Sequence, residues 1–141
     1  MFATLDGDFL TQASQLLKQP GGAARIKKAD LHPNMMKRGA IRSVFDGRYQ
    51  FTRYFSPKQH NRPTSVEALF EFNDVELFDH QNDPHELDNL ALDPVKNAAL
   101  LAMMNAKLNR LIDEEVGEDV GQMLPGGVDG GWVATPAAHD L

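Results

Sequence analysis

The segment of this sequence that is richest in reactive side chains is VELFDHQNDPHELDNLALDP, residues 75–94, which holds two Asp-Pro steps and several other acids. Closely spaced carboxylates suit calcium, and an EF-hand loop needs oxygen ligands at positions one, three and five, a glycine at six and a glutamate at twelve. When the loop is counted from Asp79, position six is Pro84 and position twelve is Leu90. Neither residue meets the requirement, so the segment predicts no calcium loop.

Other catalytic and metal-binding patterns are also missing from the sequence. The chain has no cysteine, which excludes a disulfide framework, a thiolate metal site and a cysteine nucleophile. His80 and His85 alone supply too few ligands for zinc. The sequence holds no Gly-x-Ser-x-Gly elbow, no His-Glu-x-x-His and no Walker loop. From the residues alone, we assign no catalytic, cofactor-binding or metal-binding side chain.

The charge of the chain is divided unevenly along its length. Residues 1–70 carry 11 Lys or Arg against 5 Asp or Glu, whereas residues 71–141 carry 3 against 15, which together give the net charge of -6. One interpretation is that the two halves attract each other within one fold; the other is that the basic half faces an anionic ligand or another chain. No nucleic-acid-binding signature accompanies the basic residues, so nucleic acid is not a predicted partner.

The order of the periodic segments predicts an α+β fold, in which a small four-stranded antiparallel sheet carries a long C-terminal helix on one face. A chain of 141 residues is one domain of ordinary size. The predicted elements are a short helix at 8–18, strands at 41–45, 49–55, 66–72 and 75–79, and a helix from Pro94 to Glu115. Residues 1–40 are predicted to be a connector that includes the short helix, residues 41–117 one subdomain with a tight hairpin turn at Asp46-Gly47, and residues 118–141 an extended tail anchored by Trp132.

The two Asp-Pro steps have structural roles in this fold. Pro84 cannot donate in a strand ladder, so the first step is predicted to end the last strand. Asp93 and Pro94 match the N-cap and the first position of a helix, so the second step is predicted to start the long helix. Between them, HELDNLA is predicted to form one helical turn that tucks Leu87 and Leu90 under the sheet.

Two runs and their spacing resemble a known family. GRYQFTRYF at 47–55, then residues 75–94, then the predicted long helix are similar to the C-terminal subdomain of arylsulfatase-type sulfatases of the alkaline-phosphatase superfamily. In that family a run of the form GrYKyirYf precedes one of the form ELYDLxxDPxExxNLA, although Gln50 stands here where the family usually has Lys. The matching residues are Gly47, Arg48, Tyr49, Arg53, Tyr54, Phe55, Glu76, Leu77, Asp79, Asp83, Pro84, Glu86, Asn89, Leu90 and Ala91.

The resemblance, which spans about residues 5–125, implies that catalysis and the completion of the fold belong to different domains. The chain would be the C-terminal portion of a sulfuric ester hydrolase, completing the fold and shaping the substrate pocket. Sulfatase catalysis uses a formylglycine made in a Cys-x-Pro-x-Arg or Ser-x-Pro-x-Arg motif and a calcium ion, both held by the N-terminal domain. Neither motif occurs here. Calcium and formylglycine are therefore expected in that catalytic domain, and residues 1–141 alone are expected to be inactive.

The resemblance also suggests where the chain meets other molecules. Arg48, Arg53 and His60 are the candidates for a substrate rim, and the expected partner is the sulfatase catalytic domain or a second copy of this chain. The alternative is a stand-alone interaction module that binds an anionic partner through its basic strand face. No apolar run reaches membrane-spanning length and the first residues show no export signal, so no membrane partner is predicted and the compartment stays open.

Overall fold

The computed structural model describes residues 7–31, 34 and 36–118. The predictions for the tail at 118–141, including its anchor Trp132, lie outside the described residues except at the first position. In chain order the elements are α1 Gly7–Leu17, α2 Gly22–Ala29, β1 Ala40–Phe45, β2 Tyr49–Phe55, α3 Val66–Phe72, β3 Asn73–Asp79, a 3-10 turn Leu90–Leu92 and α4 Ala98–Glu115.

The sheet has three antiparallel strands in the order β1-β2-β3. In its register Phe51 of β2 lies opposite Val44 of β1 and Leu77 of β3. Phe51, Arg53 and Phe55 share one face of β2 and are all buried. The predicted strands at 41–45, 49–55 and 75–79 are confirmed, and their alternating residues explain why one sheet face is buried.

The prediction of a four-stranded sheet is wrong, because residues 66–72 form helix α3. Ser65 caps this helix, since its side chain accepts the backbone N–H of Ala68 at 3.2 Å. The alternating interpretation placed Leu69 on the face away from Val66 and Phe70, yet Leu69 is the fully buried residue of the segment. VEALFEF fits both periods in so short a window, and the cap decides in favour of the helix. The α+β class stands, with three strands.

Helix α4 packs across the buried face of the sheet. Its apolar stripe, spaced three or four residues apart, enters one core with Phe51 and Leu77. The stripe consists of Leu101, Met104, Leu108 and Ile112. Burying each such side chain stabilises the fold by about 1.5–3 kcal/mol. Met103, the neighbour of Met104 in the sequence, is exposed.

The start of α4 differs from the prediction. The helix was expected from Pro94, but it begins at Ala98. Residues 94–97 form a turn instead, in which Asp93 Oδ1 accepts the N–H of Lys96 at 3.1 Å and the Asp93 carbonyl accepts the N–H of Asn97 at 3.1 Å. Asp93 therefore caps this turn rather than the helix itself. The prediction that a helical turn in HELDNLA tucks Leu87 under the sheet is also wrong, because Leu87 is 85% exposed.

Residues before the sheet form a pair of short helices. The predicted helix at 8–18 is confirmed as α1, but the predicted connector contains α2, whose one buried apolar side chain, Ile26, leaves no periodic pattern. Gly22 is required where the two helices meet, because a Cβ there would lie 2.5 Å from the Leu17 carbonyl oxygen. Among the described residues, no helix is both long and apolar enough to cross a bilayer.

Candidate functional site

The first polar cluster, which we name the hairpin corner, consists of Asp46, Gly47, Arg48 and Asp79. Arg48 Nε donates to Asp79 Oδ1 at 2.9 Å and Arg48 Nη2 donates to Asp79 Oδ2 at 2.6 Å. This paired geometry holds the β1–β2 turn against the end of β3, and it is the strongest form of a side-chain ion pair. The guanidinium of Arg48 lowers the pKa of Asp79 well below its usual range.

The turn of the hairpin corner is fixed by its own backbone. Asp46 Oδ1 accepts the N–H of Arg48 at 3.1 Å and that of Tyr49 at 2.8 Å, and Gly47 has φ of 100°. This positive φ explains the glycine, because a side chain there is strained. Lys107 of α4 also donates to Asp46, which, together with the N–H of Tyr49, lowers the pKa of that carboxyl to about 2.

The acids after β3 stabilise the loop that leaves the hairpin corner. Asp79 also accepts the N–H of Gln81 at 3.1 Å and the side-chain amide of Asn82 at 2.8 Å. Asp83 Oδ2 accepts the N–H of Asp88 at 2.8 Å, and backbone donors lower its pKa. Both carboxylates thus bind donors of their own chain, which suits a structured turn and does not fit a calcium ion.

Asn89 closes the outer edge of β3. Its Oδ1 accepts the N–H of Leu77 at 3.0 Å and its Nδ2 donates to the Val75 carbonyl at 3.3 Å. The same Oδ1 accepts the N–H of Ala91, which caps the 3-10 turn. One amide side chain therefore takes the place of a neighbouring strand at this edge.

The second polar cluster, the Arg53 network, is buried between β2, α4 and the loop at 56–65. Arg53 is 2% exposed, and its Nη1 donates to Asn105 Oδ1 at 3.0 Å and to Asn109 Oδ1 at 2.9 Å. Asn105 Nδ2 and Asn109 Nδ2 both donate to the Pro63 carbonyl, at 2.6 Å and 2.9 Å. The network fixes the loop onto α4, and it places a guanidinium inside the core.

Asn105, Asn109 and Pro63 are not among the residues predicted from the sequence. A signal was present, because Asn105 and Asn109 lie four residues apart on the same stripe of α4 as Leu101 and Leu108. A polar residue on an apolar stripe needs a buried partner, and β2 offers Arg53 as a donor. Only the three-dimensional packing identifies the Pro63 carbonyl as the shared acceptor.

The three rim candidates lie in different environments. Arg48 belongs to the hairpin corner, where about two-fifths of its side chain (44%) is exposed, whereas Arg53 is enclosed by its network. His60 is half-buried in the loop at 56–65, with its ring edge-on to Phe55 at a centroid distance of 5.2 Å. The structure does not bring these three side chains together at one pocket, and their role at a substrate rim stays a prediction.

An open apolar groove of about 520 Å³ lies between α3 and the turn before α4. It is lined by Val66, Glu67, Phe70, Pro94, Val95 and Ala98. The segment that joins β3 to α4 exposes Leu87, Leu92 and Val95 by 82–88%, and Val95 also lines the groove. We call these three side chains the apolar patch. Large apolar side chains exposed together are typical of a surface that contacts another protein.

The two polar clusters and the loop after β3 hold the turns and helix ends of the chain in place. Their acids and arginines are engaged in turns, caps and ion pairs, and within the described ranges no group of three or more His, Asp or Glu residues is arranged to hold a metal ion. Comparison with known proteins gives no further assignment, since neither a protein-family model nor a curated protein matches this sequence.

Proposed function

We propose that this chain is the C-terminal subdomain of a sulfatase, a sulfuric ester hydrolase, and that it completes the fold and shapes the substrate pocket beside a separate catalytic domain. The observation that supports the proposal is the role of the residues that carry the resemblance. Gly47, Arg48 and Asp79 form the hairpin corner, Asp83 caps the following loop and Asn89 closes the edge of β3. The matching residues thus have defined structural roles at the matching positions.

The chemistry of the reaction belongs to the catalytic domain in this proposal. Hydrolysis of a sulfate ester needs a covalent nucleophile and cationic groups directed at the charge that develops on the leaving group. The sequence contains no cysteine and no Ser-x-Pro-x-Arg motif, so these residues provide no precursor of a formylglycine. Calcium and formylglycine are assigned to the catalytic domain, and this chain supplies the surface that packs against it.

The apolar patch and the adjacent groove support such packing. A domain that folds against a larger one keeps apolar side chains on the contact surface, because burying them in the complex contributes about 25 cal/mol per Å². Leu87, Leu92 and Val95 have this character. Among the described residues before position 40, the apolar side chains differ in exposure: Leu10 and Met36 are exposed, whereas Phe9 and Ile26 are buried.

The proposal is tested first on the coding DNA next to this chain. We expect a neighbouring or continuous reading frame that encodes a Cys-x-Pro-x-Arg or Ser-x-Pro-x-Arg motif. Its product, co-expressed with residues 1–141, should co-purify with the chain and hydrolyse an aryl sulfate. The chain alone should show no turnover with or without calcium. Absence of such a frame, or turnover by the chain alone that is lost in a His60→Ala variant, would contradict the proposal.

Variants of the chain test the proposed contact surface in the same complex. Val95→Asp places a charge in the apolar patch at a side chain that is 88% exposed, so the fold should be retained while co-purification is lost. Ala102→Asp, at an exposed position of α4, is the matched control and should co-purify normally. Equal co-purification of both variants would show that the apolar patch is not the contact.

The alternative, an interaction module that binds an anionic partner through its basic strand face, receives less support. Arg53 is buried in its network and Arg48 is paired with Asp79, so these two guanidinium groups already bind acceptors of their own chain. Binding of a sulfated polysaccharide to residues 1–141, abolished by Arg48→Ala without loss of the fold, would favour this alternative.

A further inference from the structure

The two outer edges of the sheet differ in how their backbone groups are satisfied. Along β2, the odd-numbered residues direct their N–H and C=O groups to β1, and the even-numbered residues direct theirs to β3. Two backbone hydrogen bonds fix this alternation: the N–H of Asp46 donates to the Tyr49 carbonyl, and the N–H of His80 donates to the Arg48 carbonyl. On β3 the outward groups of Val75 and Leu77 are bound by Asn89. The edge of β3 is therefore closed.

The edge of β1 has no comparable cover among the described residues. By the same register, Ile41, Ser43 and Phe45 direct their N–H and C=O groups away from β2. Ile41 is 36% and Phe45 is 56% exposed, and Ser43 is exposed as well. The strand contains neither lysine nor proline, and its register is continuous without a bulge. Of the features by which proteins normally protect an edge strand, β1 has one charged side chain, Arg42, which lies on the same sheet face as Arg53.

We propose that β1 pairs in antiparallel fashion with β1 of a second copy of this chain, with Ser43 on the twofold axis, so that two three-stranded sheets become one. In this register Ile41 lies opposite Phe45 of the second copy, and Ser43 lies opposite Ser43. All three residues of each strand have outward backbone groups, so each pair exchanges both of its backbone hydrogen bonds. The two exposed apolar side chains of one copy cover those of the other.

Charge selects this register over its neighbours. With Ser43 on the axis, Arg42 lies opposite Val44 of the second copy. Moving the twofold axis by one residue, to Arg42, shifts the pairing by two residues and sets two Arg42 guanidinium groups directly opposite each other, which is destabilising. A shift in the other direction centres it on Val44 and moves Ile41 opposite Gly47 in the turn, where the outward backbone bonds are lost. The inference does not depend on the proposed sulfatase function.

Charge variants at the axis test the pairing, because only residue 43 meets itself. Sedimentation velocity of residues 1–141 should show a dimer. Ser43→Asp and Ser43→Lys should each weaken dimerisation by about tenfold or more, since like charges then face each other. A mixture of the two variants should restore a heterodimer. The same two substitutions at Ala102, an exposed position of α4, serve as the control and should leave the dimer intact.

Disulfide crosslinking of single-cysteine variants tests the register of the pairing, because the chain has no native cysteine. Ser43→Cys should form a disulfide-linked dimer on oxidation, because paired Cα atoms lie about 5.5 Å apart, within the range of a disulfide. Ile41→Cys should not, because the two Ile41 positions are about 14 Å apart in this pairing. A monomer at all soluble concentrations, or a dimer insensitive to charge at residue 43 and crosslinked equally well at residue 41, would overturn the proposal.

Discussion

Replacing Arg53 by methionine tests the Arg53 network most directly, because the new side chain keeps the apolar stem and removes only the guanidinium. The change eliminates the hydrogen bonds from Nη1 to Asn105 and Asn109, at 3.0 Å and 2.9 Å. Both asparagines keep their bonds to the Pro63 carbonyl, so their two side-chain oxygens are left inside the protein without this donor. The variant is thus expected to lose stability without a change of fold.

The magnitude follows from the number and kind of bonds lost. A hydrogen bond from a charged donor contributes about 1.5–3 kcal/mol, and a buried acceptor that loses its donor costs about 1–3 kcal/mol. Part of this cost is offset, because the guanidinium no longer has to be desolvated on folding. We expect Arg53→Met to lower the free energy of unfolding by about 2–4 kcal/mol, a large fraction of the about 5–15 kcal/mol typical of a domain.

Urea unfolding followed by circular dichroism measures this difference, and two further variants identify its source. Arg110→Met changes an arginine whose side chain is 74% exposed, and it should shift the free energy of unfolding by less than about 0.5 kcal/mol. Adding Asn105→Leu to Arg53→Met should cost less than the sum of the two single changes, since both partners of one bond are then apolar. If Arg53→Met were as stable as Arg110→Met, the bonds from the Arg53 guanidinium to Asn105 and Asn109 would make no net contribution to stability.

Three further changes have defined outcomes. Gly22→Ala should lower the melting temperature, because its Cβ clashes with the preceding helix, whereas Gly7→Ala, which meets nothing within 4 Å, should not; thermal circular dichroism compares them. The pKa of Asp46 is lowered to about 2 in the folded protein. The stability that its carboxylate contributes is therefore complete above the usual pKa of an aspartate, and it is lost as the pH falls from there through the folded pKa. Asp46→Asn should therefore cost about 1 kcal/mol in urea unfolding at neutral pH, the shift being discounted for exposure, and this cost should shrink steadily between about pH 4 and pH 2 and vanish below that. Asn89→Ala should destabilise by about 1–3 kcal/mol and speed hydrogen exchange at the edge of β3; unchanged exchange there would refute its role as an edge closure.

The hairpin and α4 could be predicted because their signals are local. Alternation in β1 and β2, the Asp46-Gly47 turn and the spaced apolar stripe of α4 each identify an element within one short window. Helix α3 could not be assigned in the same way, because VEALFEF satisfies both periods over seven residues and only the Ser65 cap distinguishes them. Asn73 and Asp74 are residue types typical of a turn and predict one between two strands, but the chain passes directly from α3 into β3 at Asn73.

The two polar clusters also could be predicted only where their signals are local. Arg48 and Asp79 were visible as residues of a motif, but their pairing depends on the register that sets Tyr49 opposite Asp79. The Arg53 network joins residues more than forty positions apart through the Pro63 carbonyl, and backbone acceptors leave no mark in a sequence. Burial of Arg53 could not be read from β2 either, since an arginine on an otherwise apolar strand face is equally consistent with a solvated side chain.

The uneven charge of the chain has a structural explanation in these contacts. Several ion pairs join a basic residue of one half of the sequence to an acid of the other, and they connect the strands and helices of a single fold. These pairs are Arg38–Asp74, Arg48–Asp79, Arg62–Asp113 and Lys107–Asp46. Most acids of residues 75–94 accept hydrogen bonds within the chain: Glu76 from Tyr54, Asp79 from Arg48, Asp83 from the N–H of Asp88 and Asp93 from the N–H of Lys96. Asn89 closes the edge of β3, so the proposed association of this chain is expected to begin at the edge of β1.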